Sequence, residues 1–333
     1  MIGYYVHHHG RGHLSRATSI CARLREPVTI LSSLPVEARP GVTTVRLPRD
    51  DEPSDRGDGK GFTDVDANGA LHWVPLHHSG LRERMSTIAD WVSTHRPSVM
   101  VVDVSVEVTM LVRLLGVPVV VVAMPGERTD PPHELVYRVA EHILAAWPRT
   151  LYEPAWLVPY AAKTTYVGGI SRFDGRPRLP RPDDGRPGIL VLNGSGGADL
   201  DVSTINRCAA AHPEYRWSSL GVAGGPWADD PWPNLCTADV VVSSAGQSSI
   251  ADIAAAGRPA VIIAADRPFG EQRATAAALR RAGVAAVRPS WPEMSDWPGV
   301  VEAARGLDSQ GWQQWQTVGA AERAAALIER VAA

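Results

Sequence analysis

Five short aliphatic runs constrain this chain most: VMVVD (99–103), VPVVVVAM (117–124), GILVL (188–192), ADVVVSS (238–244) and PAVIIAA (259–265). None alternates apolar with polar residues, so each reads as a strand buried on both faces. All are far shorter than the roughly 20 residues of a membrane span. Helical stretches separate them. HLSRATSICARLR (13–25) follows the strand IGYYV (2–6), and VTILSS (28–33) and VTTVRL (42–47) come next. SGLRERMSTIADWVSTH (79–95) sets Leu81, Met85, Ile88 and Val92 on one face behind an expected cap at Ser79. Further helices are expected over 106–115, near 200–211, and over 248–256 and 271–282. Strands alternating with helices in this way predict an α/β fold with doubly wound parallel sheets.

At 333 residues the chain exceeds the usual size of one core. A break falls at RFDGRPRLPRPDDGRPG (172–188), where proline, glycine and charge erase any apolar period. The expected organisation is two Rossmann-like domains facing a central cleft: residues 1–168, a linker over 169–187, and residues 188–333. The acidic, glycine-rich stretch 49–69 reads as a solvated loop rather than an acceptor-binding one. A net charge of -3 with no basic block argues against a nucleic-acid partner. Cys21, Cys208 and Cys236 are too widely spaced for a disulfide framework or a zinc site. With no basic segment and longer apolar core at the start of the sequence, a cytoplasmic location is expected.

Three strand-to-helix turns are rich in glycine: HHHGRGHLS (7–15), NGSGGAD (193–199) and SSAGQSS (243–249). Glycines let backbone N–H groups approach an anion, and a helix start carries partial positive charge, so phosphate is the natural occupant. None is a G-x-x-x-x-G-K-[ST] loop, and HHHGRGH lacks the third glycine of the dinucleotide fingerprint. Two such turns in the second half suit a bridging diphosphate. Asp252, one helical turn past Ser248, is placed to accept from a ribose or merely to favour the helix dipole.

The block from ILVLNGSGGAD through SSAGQSSIADIAAAGRPAVIIAADRPFGEQRATAAALRRAG resembles the C-terminal, nucleotide-sugar-binding domain of GT-B glycosyltransferases. It most resembles the family 28 group that contains the peptidoglycan lipid II-forming N-acetylglucosaminyltransferase. YYVHHHGRGHLSRA and TYVGGISR (165–172) are similar to that group's N-terminal loop and the end of its first domain. The resemblance implies that Ser244, Gly246, Ser248 and Ser249 face the donor diphosphate, with Gly194, Ser195 and Gly196 at the other phosphate turn. It also implies that Asp252 meets the ribose, Glu271 and Gln272 the donor sugar, and Arg172 the diphosphate. His13 matches the histidine of the N-terminal loop, with Gly12 beside it on the acceptor side. Departures are Ser244 where the plant-type signature has histidine, Thr275 for asparagine, and a loop without the double glycine.

What the resemblance implies is inverting transfer of a hexose or N-acetylhexosamine from a UDP- or TDP-sugar to a hydroxyl acceptor, small or lipid-linked. Helix N-termini and hydroxyls can stabilise the departing diphosphate, and no D-x-D pair stands at a strand end, so neither metal nor cofactor is expected. His13 is the first candidate for general base and Asp103 the second, with Glu107 one turn later. His7, His8 and His9, read as strand residues, point to alternate faces and are not expected to share an ion. His77 is treated likewise, while His78 is an acceptor-side candidate. Aromatic residues between Trp147 and Tyr160 suit interdomain packing or a peripheral contact at the inner membrane face. Rival readings on one scaffold are a nucleotide-sugar hydrolase or epimerase and a non-catalytic binding protein.

Overall fold

The computed structural model describes residues 1–52, 62–181, 185–194 and 200–333. The first half runs β1 (Ile2–Val6), α1 (Arg11–Cys21), β2 (Val28–Ser32), β3 (Val42–Arg46), α2 (Ser79–His95), β4 (Val99–Asp103), α3 (Val106–Leu114), β5 (Val119–Ala123), α4 (Pro131–Val139), β6 (His142–Ala145) and β7 (Thr164–Tyr166). The second runs β8 (Gly188–Leu192), α5 (Val202–Ala211), β9 (Arg216–Leu220), α6 (Trp232–Thr237), β10 (Val240–Ser243), α7 (Gln247–Ala256), β11 (Ala260–Ile263), α8 (Glu271–Ala282), β12 (Ala286–Arg288), α9 (Trp297–Arg305) and α10 (Ala320–Ala332).

The strands form two parallel sheets, ordered β3-β2-β1-β4-β5-β6-β7 and β12-β11-β10-β8-β9. This is the expected pair of Rossmann-like sheets. In the first the chain winds outward from β1 and then reverses to β4, and in the second it reverses between β8 and β10. Ligands of open parallel sheets sit beyond the strand ends at such reversals. Val6 lies opposite Asp103 in register, and Leu192 opposite Ser243, so these four residues mark where the two sites must form. The aliphatic runs are buried as their composition requires: β1, β2, β4, β5 and β8 are covered along their whole length. Each such side chain contributes roughly 1.5–3 kcal/mol on burial.

The last helix departs from the expected domain division. α10 returns to the first sheet, where Ala320, Ala324, Leu327 and Ile328 pack with Ile2, Tyr4, Val6 and Ile20 in one core. Their spacing makes one apolar stripe, which packs beside α1. The second unit therefore gives up residues 320–332 to the first. The expected linker is also not a free tether. Phe173 is buried with its ring 4.9 Å from that of Trp232, whose Nε1 donates to the Pro177 carbonyl at 2.9 Å. The sequence reading omitted α4, β6, β7, α6, β12, α9 and α10.

At α2 the cap is His78 rather than Ser79: the His78 Nδ1 accepts from the Leu81 N–H at 3.1 Å. An imidazole nitrogen can supply the acceptor that a hydroxyl usually does, a substitution that residue-type preferences do not reveal.

Candidate active site

A cleft of about 800 Å³ lies where the two reversals face each other, lined from both domains. On the first side β1 ends at Val6, the chain turns at Gly10 with φ 85°, and α1 begins, placing His13 in its first turn. The His13 Nδ1 lies 2.8 Å from Asp103 Oδ1. Arg16, one turn further along α1, donates to both oxygens of the same carboxylate, Nε to Oδ2 at 3.0 Å and Nη2 to Oδ1 at 2.6 Å. Asp103 and Arg16 are buried, while His13 lines the cleft. Burial opposes ionisation of Asp103, but the Arg16 guanidinium and His13 win and hold its carboxyl well below the usual range. Two groups meet the His13 Nδ1: the Asp103 carboxylate, which only accepts, and Arg16 Nη2, 3.0 Å away, which only donates. In the tautomer whose Nδ1 proton faces Asp103, the Nε2 lone pair is the basic site. Directly after Asp103, Val104 adopts φ 66° and lines the cleft. A β-branched residue in the left-handed region is strained, and such strain concentrates at sites that hold a fixed geometry.

Asp103 thus orients His13 and does not itself reach the cleft. Sequence reasoning missed Arg16, although its spacing from His13 puts both on one helix face. Arg16 also reaches the second domain: its Nη1 donates to the Gln247 Oε1 at 2.8 Å. Nearby, the Ser248 hydroxyl donates to the Gly12 carbonyl at 3.2 Å, so Gly12 sits on the seam itself.

From the second domain, Gly194, Ser244, Gly246, Ser248 and Ser249 all line the cleft around the start of α7. That helix begins at Gly246 with no side-chain cap and no acidic residue in its first turn, which leaves its first N–H groups for an anion. Ser195 and Gly196 lie outside the described residues. Asp252 is buried; Ser171 donates to its Oδ1 at 2.7 Å and Arg172 Nε stands 3.3 Å from its Oδ2. Burial pushes the Asp252 carboxyl up to about 6, with Arg172 and Ser171 opposing. The Gln272 Oε1 accepts from the Ala245 and Ala265 N–H groups at 3.1 and 2.9 Å, pinning two ligand-facing turns together. Glu271 opens α8 and pairs with Arg128 of the first domain at 3.4 Å.

That pairing belongs to a contact between a finger of the second domain and the first. Phe269, at φ 59°, lies 4.3 Å from the Arg128 guanidinium, and its carbonyl accepts from the Glu127 N–H at 2.8 Å. Gly126 makes room: at φ +97°, a Cβ there would fall 2.3 Å from the Phe269 carbonyl oxygen.

Two expected residues lie elsewhere. His78 is buried as the α2 cap, its second nitrogen 2.7 Å from the Glu52 carbonyl. Glu107 accepts from the N–H groups of His72 and Trp73 at 2.8 and 3.0 Å, fastening the segment before α2. Neither lines the cleft. Of the stretch expected to be solvated, residues 62–69 are mostly exposed while Asp50 is buried, and residues 53–61 lie outside the described residues.

The histidine run also differs from expectation. Because β1 stops at Val6, residues 8–10 bend, and His8 and His9 both turn toward Asp51 Oδ2 at 3.2 and 2.9 Å. A second cluster joins His72 and His133 to Asp130 at 2.6 and 2.5 Å. In each an arginine faces the far nitrogen, Arg84 3.3 Å from His8 Nδ1 and Arg128 3.3 Å from His133 Nε2. Arginine only donates, so Arg84 meets the acceptor nitrogen of His8 and Arg128 that of His133, while His8 Nε2 is buried without a hydrogen-bond partner among the described residues. His7, in the cleft wall, is held neutral by burial, which pushes its imidazole down to about 2. The aromatics after Trp147 pack inward: Trp156 stacks on Tyr137 at 5.1 Å and donates to the Gly126 carbonyl at 2.8 Å. Among the described residues no helix is long and apolar enough to cross a membrane.

Residues 222–290 match the glycosyltransferase family 28 C-terminal domain. Over 205 residues, 54% of this chain, the sequence is 30% identical to a UDP-N-acetylglucosamine–N-acetylmuramyl-(pentapeptide) pyrophosphoryl-undecaprenol N-acetylglucosamine transferase of Sorangium cellulosum. The match spans about half, 49%, of that relative's length. Among solved structures, the glycosyltransferase of kitacinnamycin superposes with a TM-score of 0.69 at 17% identity, covering 99% of this chain and 98% of that one. MurG of Acinetobacter baumannii gives 0.61 at 15%, covering 99% of both. At such identities the structural likeness establishes the fold, and the sequence match establishes the kind of second domain. Residues 222–290 thus match the family 28 C-terminal domain, and the chain as a whole has the GT-B fold of its structural neighbours.

Proposed function

We propose that this chain is an inverting, metal-independent glycosyltransferase that moves a hexose or N-acetylhexosamine from a UDP- or TDP-sugar to a hydroxyl acceptor. The observation that carries the reading is the opposition of two reversal points. A histidine oriented by a buried carboxylate stands on one side, and an uncapped helix N-terminus flanked by serines on the other. His13 Nε2 takes the acceptor proton as the acceptor oxygen attacks C1. The C1–O bond to the diphosphate breaks with its electron pair on the phosphate oxygen, where the α7 N–H groups and serine hydroxyls meet the growing charge. Asp252 and Arg172, paired with each other in the cleft wall, would meet the ribose and the diphosphate. With helix dipole and hydroxyls facing the leaving group, no metal is required. A lipid-linked acceptor, of the kind in the Sorangium enzyme's name, or a small hydroxylated molecule both suit a reaction of this type.

The test is incubation with a panel of UDP- and TDP-sugars, first alone and then with hydroxyl acceptors. Transfer with inversion at C1, unaffected by a chelator, supports the reading. Rapid free-sugar release without acceptor identifies a hydrolase, an isomeric nucleotide sugar an epimerase, and binding without turnover under any acceptor an accessory protein.

A further inference from the structure

Gln247 is the first residue of α7, lines the cleft, and reaches across the domain seam. Its Oε1 accepts from Arg16 Nη1 at 2.8 Å. A guanidinium has only donors, so the amide oxygen must be the atom that faces it. Arg16 is itself fixed by two bonds to Asp103, which removes the freedom of the amide to flip. The Gln247 Nε2 is thereby directed away from Arg16, and it is buried with no hydrogen-bond partner among the described residues. An amide N–H held in that condition is destabilising unless a ligand completes it.

Resting on the donor reading above, we propose that Gln247 binds the β-phosphate of the nucleoside diphosphate, its Nε2 donating to an oxygen of the group that leaves. The nearby α7 N-terminus and its serines hold the same anion, and the bond that Gln247 adds strengthens as charge collects on the phosphate. Asp103 then governs both ends of the reaction. Directly it orients His13, and through Arg16 it sets the amide that meets the departing oxygen.

The test titrates the full chain, its Gln247→Ala variant and its Gln247→Glu variant with UDP, TDP, UMP and TMP. Glutamate keeps a partner for Arg16 and so preserves the seam, but it has no N–H to offer. The expected result is that the preference for diphosphate over monophosphate falls about tenfold or more in both variants, further with Glu, while monophosphate affinity stays within about twofold. A residue that merely holds the domains together would leave that ratio unchanged. An unchanged ratio in both variants overturns the proposal and leaves the donor reading standing. A wild-type chain that binds none of the four overturns the donor reading and the proposal with it.

Discussion

Asp252 links stability to function through one proton. Its folded-state value of about 6 lies above the 3.8 of a free aspartate, so between those values the folded chain holds a proton that the unfolded chain has lost. That contribution is complete below the unfolded value and is lost as pH rises through about 6. Asp252→Asn removes the titration while keeping an acceptor for Ser171. Its stability relative to wild type is therefore expected to improve by about 1–2 kcal/mol between about pH 4.5 and about pH 8, as measured by denaturant melts. Donor affinity is expected to fall about tenfold, since a neutral amide is a poorer acceptor for ribose hydroxyls. A pH-independent difference would contradict the assigned burial. Much of this residue-level picture was legible in sequence. Glycine turns after aliphatic runs marked the strand-to-helix turns that carry Gly12, Gly246 and the serines, and the family resemblance singled out His13 and the serines within them. Arg16 and Gln247 were not placed, because their meaning lies in a contact between residues 231 positions apart.

Among the elements, α2 and α7 show how helix ends sort structure from function. α2 is closed by its own His78, whereas α7 is left open toward the cleft. His78→Ala is expected to lower stability by about 1 kcal/mol in denaturant melts and to leave turnover within about twofold. A large loss of turnover would return His78 to the acceptor side. Strands and their order of burial were readable from aliphatic runs, since burial on both faces demands them. The cap was not, because histidine is ordinary at a surface and caps only when its ring happens to meet the first turn. The bend at residues 8–10 escaped for a related reason. Where a strand stops depends on its sheet partners, and the alternate-face argument for His7 to His9 holds only while the strand continues.

For the whole molecule, α10 is the feature that a linear reading of domains could not supply. Its apolar stripe says that it must be buried but not against which sheet, and it chooses the first, next to α1, which carries His13 and Arg16. The chain therefore crosses between domains twice, and the helix bearing the base is braced by the last residues of the second unit. The most direct test of that account compares donor binding and turnover in His13→Ala, using the UDP- or TDP-sugar that the wild-type chain accepts. The account predicts donor affinity within about twofold of wild type and turnover reduced by about 10²-fold or more. Turnover near the wild-type rate, or loss of donor binding together with turnover, would contradict it.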